Sequence, residues 1–350
     1  MMSMGDSYRA GREQAGFADV EALEERLSRP DADVIADLAR LDGDIAVLGA
    51  TGKMGPTLVR MARRAAPDRE VFAVARFSDR RLITDFRAQG ITPIAADLLD
   101  PQGLDKLPDA RNVIVMTGYK FGASNEPERS WAVNAMLPAA IAARLPGRRI
   151  VVFSTGCVYP FVAASSGGAD EDTPLTPLGE YANSCVGRER LVQWETAKSG
   201  ASALMFRLNY AIDCRYGVLH DIASKVFSGA PLDLTTGFVN VIWQGDATAM
   251  ALRSLLHCTS PAAALNVTGP ETLSVRRLAE WFGRRFGRTP CFMGEEAPTA
   301  WLSNAGRAFA LMGYPKVSLE QMLEWVADWI ERSMPSLHKL TGFEVRTGAY

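Results

Sequence analysis

Gly49, Gly52 and Gly55 recur at every third position directly after the apolar run Ile45-Ala46-Val47-Leu48. Such a turn lets the backbone come close to a pyrophosphate, whose charge rests against free N–H groups at the start of the next helix. Gly49, Thr51, Gly52, Lys53, Met54 and Gly55 therefore read as the phosphate turn of a dinucleotide site. A mononucleotide P-loop does not fit: it needs Gly where Val47 stands and Ser or Thr where Met54 stands. The end of the following strand chooses between the two nicotinamide cofactors, because an acid there binds a ribose 2′-OH and a base accepts a 2′-phosphate. Ala75 and Arg76 occupy that place, with Arg80 and Arg81 close by, so the pattern favours NADP and leaves NAD possible. Asp97, at the expected end of a third strand, is suited either to an adenine amino group or to a plain turn.

These residues need a scaffold, and the chain beyond Asp44 supplies one by alternating short apolar runs with helical patterns. Strands are expected at 45–48, 71–75, 92–95, 112–116, 149–154, 203–208 and 264–267. Helices are expected at 54–65, 80–89, 129–144, 180–198, 247–256, 275–286 and 319–332. The expected architecture is α/β: a Rossmann-type doubly wound parallel sheet with a smaller C-terminal substrate lobe. The boundaries read as an N-terminal helical extension at 1–43 and a dinucleotide-binding domain at 44–210 that also receives 235–270. The substrate lobe takes 211–234 and 271–335, and 336–350 forms a tail. The segment 161–177, rich in Ser, Gly and Pro, reads as a long polar loop of the functional or mobile kind.

Composition narrows the class. With 350 residues, 47% of them hydrophobic, and a net charge of −2, the chain can bury a full core and has no charge excess aimed at nucleic acid or an anionic membrane. No apolar signal core opens the sequence and no run of some 18 apolar residues interrupts it, which suggests a cytoplasmic location without a membrane partner. Five scattered cysteines without a C-x-x-C pair, and three distant histidines, indicate neither a disulfide framework nor a metal site. The expected partner is a small-molecule substrate, with a homodimer left open.

Several ordered motifs resemble an extended short-chain dehydrogenase/reductase of the NAD(P)-dependent epimerase/dehydratase family, over roughly Asp44 to Ile330. Gly49–Gly55 is similar to its nucleotide turn, Val113-Ile114-Val115-Met116-Thr117-Gly118 to its fourth strand, and Asn134 to its helix asparagine. Phe153-Ser154-Thr155-Gly156-Cys157-Val158-Tyr159 resembles S-[ST]-x-x-V-Y, and Tyr181 resembles the tyrosine of Y-x-x-x-K. The tail fits as well, through Asn266-Val267-Thr268-Gly269-Pro270 and Leu311-Met312-Gly313-Tyr314-Pro315. The resemblance implies Tyr181 as acid/base, Thr155 as the polarising hydroxyl, and Thr117, Gly118 and Asn134 beside the cofactor.

One departure stands out: Cys185 occupies the lysine position of that motif. In the family this lysine lowers the tyrosine pKa and holds the nicotinamide ribose. Without a nearby cation, a phenol near pKa 10 is ionised only about one part in a thousand at pH 7, roughly 4 kcal/mol from tyrosinate. Lys120, just past the fourth strand, is the expected substitute, since that strand end borders the nicotinamide pocket. The alternative is a catalytically silent NADP-binding sensor or scaffold. Family members that take nucleoside-diphosphate sugars carry basic residues in the smaller lobe. Here the matching stretch 231–246 has no Arg or Lys, leaving Arg207, Arg215 and Lys225. The expected substrate is accordingly a small sugar, polyol, sugar acid or related hydroxy or keto compound, with Trp243 and Phe238 available to stack on it.

Overall fold

The structure, a computed structural model, describes residues 16–339 and 341–350. The first fifteen residues of the expected N-terminal extension, and residue 340 of the tail, lie outside the described residues. Seven short strands, β1 (Ile45–Leu48), β2 (Val71–Ala75), β3 (Thr92–Ala95), β4 (Asn112–Val115), β5 (Arg149–Thr155), β6 (Ser202–Leu208) and β7 (Ala263–Val267), form one sheet. Their order is β7-β6-β5-β4-β1-β2-β3, and every pairing is parallel. All residues of β1 and β4 are buried, as central strands must be when helices cover both faces, and apart from Asn112 all are apolar. Strand order reverses between β1 and β4, which opens a crevice at their carboxyl ends.

Among the described residues the longer helices are α1 (Val20–Leu27), α2 (Ala32–Ala39), α3 (Gly55–Ala65), α4 (Arg81–Ala88), α5 (Leu137–Ala143), α6 (Gly179–Ser199), α7 (Val218–Ser228), α8 (Gln244–Arg253), α9 (Val275–Phe286), α10 (Gly306–Met312) and α11 (Leu319–Glu331). Leu58, Val59 and Ala62 of α3 pack on one face of the sheet, while Ile141 of α5 and Val192 of α6 pack on the other. A separate core gathers Leu219 and Ile222 of α7, Phe282 of α9 and Val326 of α11. This core is the smaller lobe.

Three segments depart from the expected plan. The N-terminal extension is not one unit: Leu23 and Leu27 of α1 are buried in the lobe core, whereas Val34 and Leu38 of α2 are buried under the sheet. It bridges the two cores. The predicted helix over 129–144 is instead Pro127–Trp131, a π-helical turn at Ala132–Met136, and α5. Pro138 lacks the N–H that an α-helix would give to the Asn134 carbonyl. The Phe161–Pro177 loop is tied down, because Val162 and Ala163 pair antiparallel with Ala300 and Thr299.

A buried polar network joins the sheet to α6. Arg207 on β6 meets Glu189 through two contacts, at 3.0 and 2.6 Å, and Ser154 on β5 donates to the same carboxylate at 2.6 Å. Arg207 also donates to the Tyr159 hydroxyl at 2.6 Å, which in turn donates to Asn266 on β7 at 2.8 Å. Every member is buried. Removing one partner of such a pair strands a charge away from water, so Glu189→Ala should lower stability by about 3–5 kcal/mol, read as a fall in the urea midpoint.

Candidate active site

The glycine turn is shaped by its neighbours. Gly49 has φ +85°, and a Cβ there would stand 3.0 Å from the Thr117 nitrogen. Gly55 packs so closely that a Cβ would meet the Ala50 oxygen at 2.4 Å. Gly52 is different: it is exposed, and a Cβ there would meet only the Gly49 oxygen, at 3.4 Å. The N–H groups of Thr51, Lys53 and Met54 have no acceptor among the described residues, so they remain free for an anion at the start of α3.

Beside this turn lies a cavity of about 500 Å³, at the carboxyl ends of β4, β5 and β6. It brings together Lys53, Met54, Thr117, Gly118, Lys120, Thr155 and Tyr181 from the residues expected to act. Thr117 Oγ1 is buried without a hydrogen-bond partner, an orphaned hydroxyl suited to a ribose. Thr155 caps a short 3-10 turn, accepting from the Cys157 N–H at 3.2 Å, and its hydroxyl lies against the Tyr181 phenol. Free amides, the Cβ-less turn and the orphaned hydroxyl together fit a nicotinamide dinucleotide.

Other expected contacts fall elsewhere. Arg76 is exposed at the end of β2, while Arg81 is paired with Asp79 at 2.8 Å. The Asp97 carboxylate accepts from the Leu99 N–H at 3.1 Å and serves a turn. Asn134 is fully buried and lines no part of the cavity: its side chain holds both the N–H and the carbonyl of Tyr119, at 2.8 Å each. It fixes the loop that carries Gly118 and Lys120 rather than facing a cofactor. Trp243 is core, stacked on Phe17 and meeting Trp325 edge-on.

Charges in the cavity are strongly perturbed. Burial brings the Lys53 ammonium, which sits 3.3 Å from the Tyr216 ring centre, down to about 7. Burial also lowers Lys120, whose Nζ donates to the Thr341 carbonyl at 3.0 Å and stands 5.9 Å from the Tyr181 ring centre. Tyr181 is pushed well above the ordinary phenol range by burial, with Cys185 and Cys157 adding to the shift and Arg188 opposing it. Cys185 is driven to about 11 by burial.

Three participants were not visible to motif matching. Arg188 reaches the cavity from α6, Lys339 from the C-terminal segment, and Tyr350 sets its ring perpendicular to that of Tyr181 at 5.7 Å. Arg188 had a signal, since it lies seven residues after Tyr181 on the same helical face. Tyr350 had none.

The model of the NAD dependent epimerase/dehydratase family matches residues 45–212. Over this segment, just under half of the chain, the sequence is similar to that family. Among solved structures, the UDP-glucuronic acid 4-epimerase from Bacillus cereus in complex with UDP-glucuronic acid and NAD is similar at 18% identity and a TM-score of 0.70, covering 83% of this chain and 99% of that one. The UDP-glucose 4-epimerase from Thermotoga maritima, with UDP-glucose, is similar at 15% identity and a TM-score of 0.68, with coverages of 83% and 99%. The UDP-glucose 4-epimerase from Thermus thermophilus, complexed with NAD, gives 18%, 0.67, 82% and 99%. A search of curated proteins finds no match. No helix among the described residues is long and apolar enough to cross a membrane, and none of their His, Cys, Asp and Glu groups could hold a metal ion.

Because Gly52 has room for a side chain but faces the phosphate turn, Gly52→Val should leave the protein folded while abolishing nucleotide binding. Calorimetric titration with NADPH, alongside circular dichroism, checks both halves.

Proposed function

We propose that this protein is an NADP-preferring oxidoreductase or epimerase-like enzyme acting on a small sugar, polyol, sugar acid or related hydroxy or keto compound. The observation that carries the reading is the meeting of Tyr181 and Thr155 in one cavity with the orphaned Thr117 hydroxyl, beside the glycine turn. When bound, the nicotinamide ring accepts or returns a hydride. The chain's own residues handle the proton. Tyr181 takes it from the reacting hydroxyl or gives it to the reacting carbonyl, and Thr155 donates a hydrogen bond that polarises the same oxygen.

Three residues held open for a sugar-nucleotide diphosphate are already engaged, which supports the smaller substrate. Arg207 serves the buried network, Arg215 pairs with Asp213 at 2.7 Å and with Glu24 at 2.8 Å, and Lys225 pairs with Glu344 at 2.6 Å. Lys53, Lys120 and Lys339 line the cavity instead, and a bound carboxylate would offset the burial that lowers the first two, so within the proposed class an acid is favoured. Lys120 on this reading orients substrate and holds the C-terminal segment through Thr341.

Purified protein should change absorbance at 340 nm when given NADP(H) and a library of small polyols, hydroxy acids and keto acids. Tyr181→Phe should reduce that turnover by about 10²–10⁴-fold, the scale of a lost acid/base group. Firm NADPH binding without turnover on any compound would instead favour the silent sensor.

Cofactor choice is tested separately. Arg76 stands exposed where an acid would select NAD, so NADPH should bind more tightly than NADH. Arg76→Ala should narrow the gap by about 1–3 kcal/mol, as for a charge-assisted hydrogen bond. Equal affinities in the unmodified protein would remove the NADP preference.

A further inference from the structure

α6 presents Tyr181, Cys185 and Arg188 on one face, the second and third placed one and two turns beyond the tyrosine. Arg188 is only 3% exposed, yet no carboxylate among the described residues pairs with it. Its Nε donates to the Asn134 carbonyl at 2.7 Å, one terminal nitrogen to the Asn134 amide oxygen at 2.8 Å, and the other to the Phe153 carbonyl. A guanidinium held by neutral oxygens keeps its full positive charge, and burial leaves that charge poorly screened. Neighbouring Glu189 does not cancel it, being committed to Arg207 and Ser154.

The surrounding structure aims this charge. Pro138 offers no N–H to the Asn134 carbonyl, and the Arg188 Nε takes that acceptor. A Cβ on Gly118 would lie 3.7 Å from the Arg188 nitrogen that meets Asn134, so the guanidinium reaches the loop after β4 that lines the cavity. Other titratable or charged groups facing Tyr181 are Cys185 on its own helix, Cys157 from the turn after β5, Lys120 from the loop after β4 and Tyr350 from the C-terminal segment. Lys120 is the rival cation. Its Nζ is 4.1 Å from the Tyr350 ring centre but 5.9 Å from that of Tyr181, and its hydrogen bond goes to the Thr341 carbonyl.

We propose that Arg188 is the fixed cation of this site, a positioning residue whose field favours the ionised form of Tyr181 in place of the lysine absent at Cys185. This rests on Tyr181 being the acid/base of the proposed reaction. An arginine in this role differs from a lysine in one respect: a guanidinium is a permanent charge, so it biases Tyr181 without joining a proton relay. The arrangement also explains why a small thiol is tolerated at 185. Cys185 fills the space between phenol and guanidinium without competing for charge, since burial holds it as a neutral thiol.

The test reads the phenol directly, on the full chain without cofactor or substrate. Tyr181 is replaced by 3,5-difluorotyrosine, whose ring fluorines lower the ionisation range and report it by ¹⁹F NMR. Arg188→Gln should raise the titration midpoint by about 1–3 pH units, the range for a lost opposite charge at close quarters. Arg188→Lys should recover most of the shift, and Lys120→Met should move the midpoint less than half as far. An unchanged midpoint in Arg188→Gln, or a larger shift in Lys120→Met, overturns the proposal. Should Arg188→Gln fail to fold by circular dichroism, Asn134→Asp decides. It sets a carboxylate against the guanidinium and should also raise the midpoint, and no rise there overturns the proposal equally. Turnover at 340 nm stays an independent measurement: the charge coupling can hold in a protein that proves to be a sensor, and can fail in one that turns over substrate.

Discussion

Desolvation of charge on α6 is the constraint on which this structure turns. Two adjacent residues of one helix, Arg188 and Glu189, carry opposite charges into the interior, and each is 3% exposed or less. Their fates differ. Glu189 finds Arg207 and Ser154 and becomes a structural link between the helix and two central strands. Arg188 finds only neutral oxygens, from the π-helical turn and the end of β5, and its charge remains directed at the cavity. A buried charge without a counter-charge is costly, and sites that persist with one commonly use it.

The remaining cavity chemistry follows from the same physics. Burial lowers the lysines Lys53 and Lys120 and raises the phenol of Tyr181, so these three groups are pressed toward their neutral forms. A guanidinium resists that pressure better than an ammonium, because its charge is delocalised and more weakly hydrated. The C-terminal segment adds to the burial. Tyr350 stands against Tyr181, its carbonyl accepts from the Gly122 N–H at 3.2 Å, and Phe343 anchors the segment in the lobe core. The tail expected at 336–350 is therefore part of the wall of the site.

Most of the sheet was legible from local pattern. The four runs at 45–48, 71–75, 92–95 and 112–116 were placed to within one residue, because β-branched residues between helical patterns leave few alternatives. The glycine spacing foretold the turn, and the helix bearing Tyr181 was placed to within one residue at each end. Less legible was the π-helical turn, where Pro138 sits in a sequence that otherwise reads as continuous helix. Asn134 was read as a cofactor contact because its motif position suggested one. Its side-chain contacts join Ser130, one turn away, to Tyr119, Ser184 and Arg188, which come from other elements.

By itself the sequence determined the doubly wound sheet, the tight glycine turn after its first strand and the absence of a lysine at 185, since each depends on residue type at fixed local spacing. It could not decide what replaces that lysine. Only packing shows that Arg188 is held by Asn134 and Phe153 at the cavity wall, whereas Lys120 leans toward the C-terminal segment. Nor could it show that Arg207, Arg215 and Lys225 are already paired, because their partners at 189, 213, 24 and 344 come together only when the chain folds. Local pattern follows from short-range sterics and periodicity. The field inside a site follows from which charges are buried together, and that is a property of the tertiary structure alone.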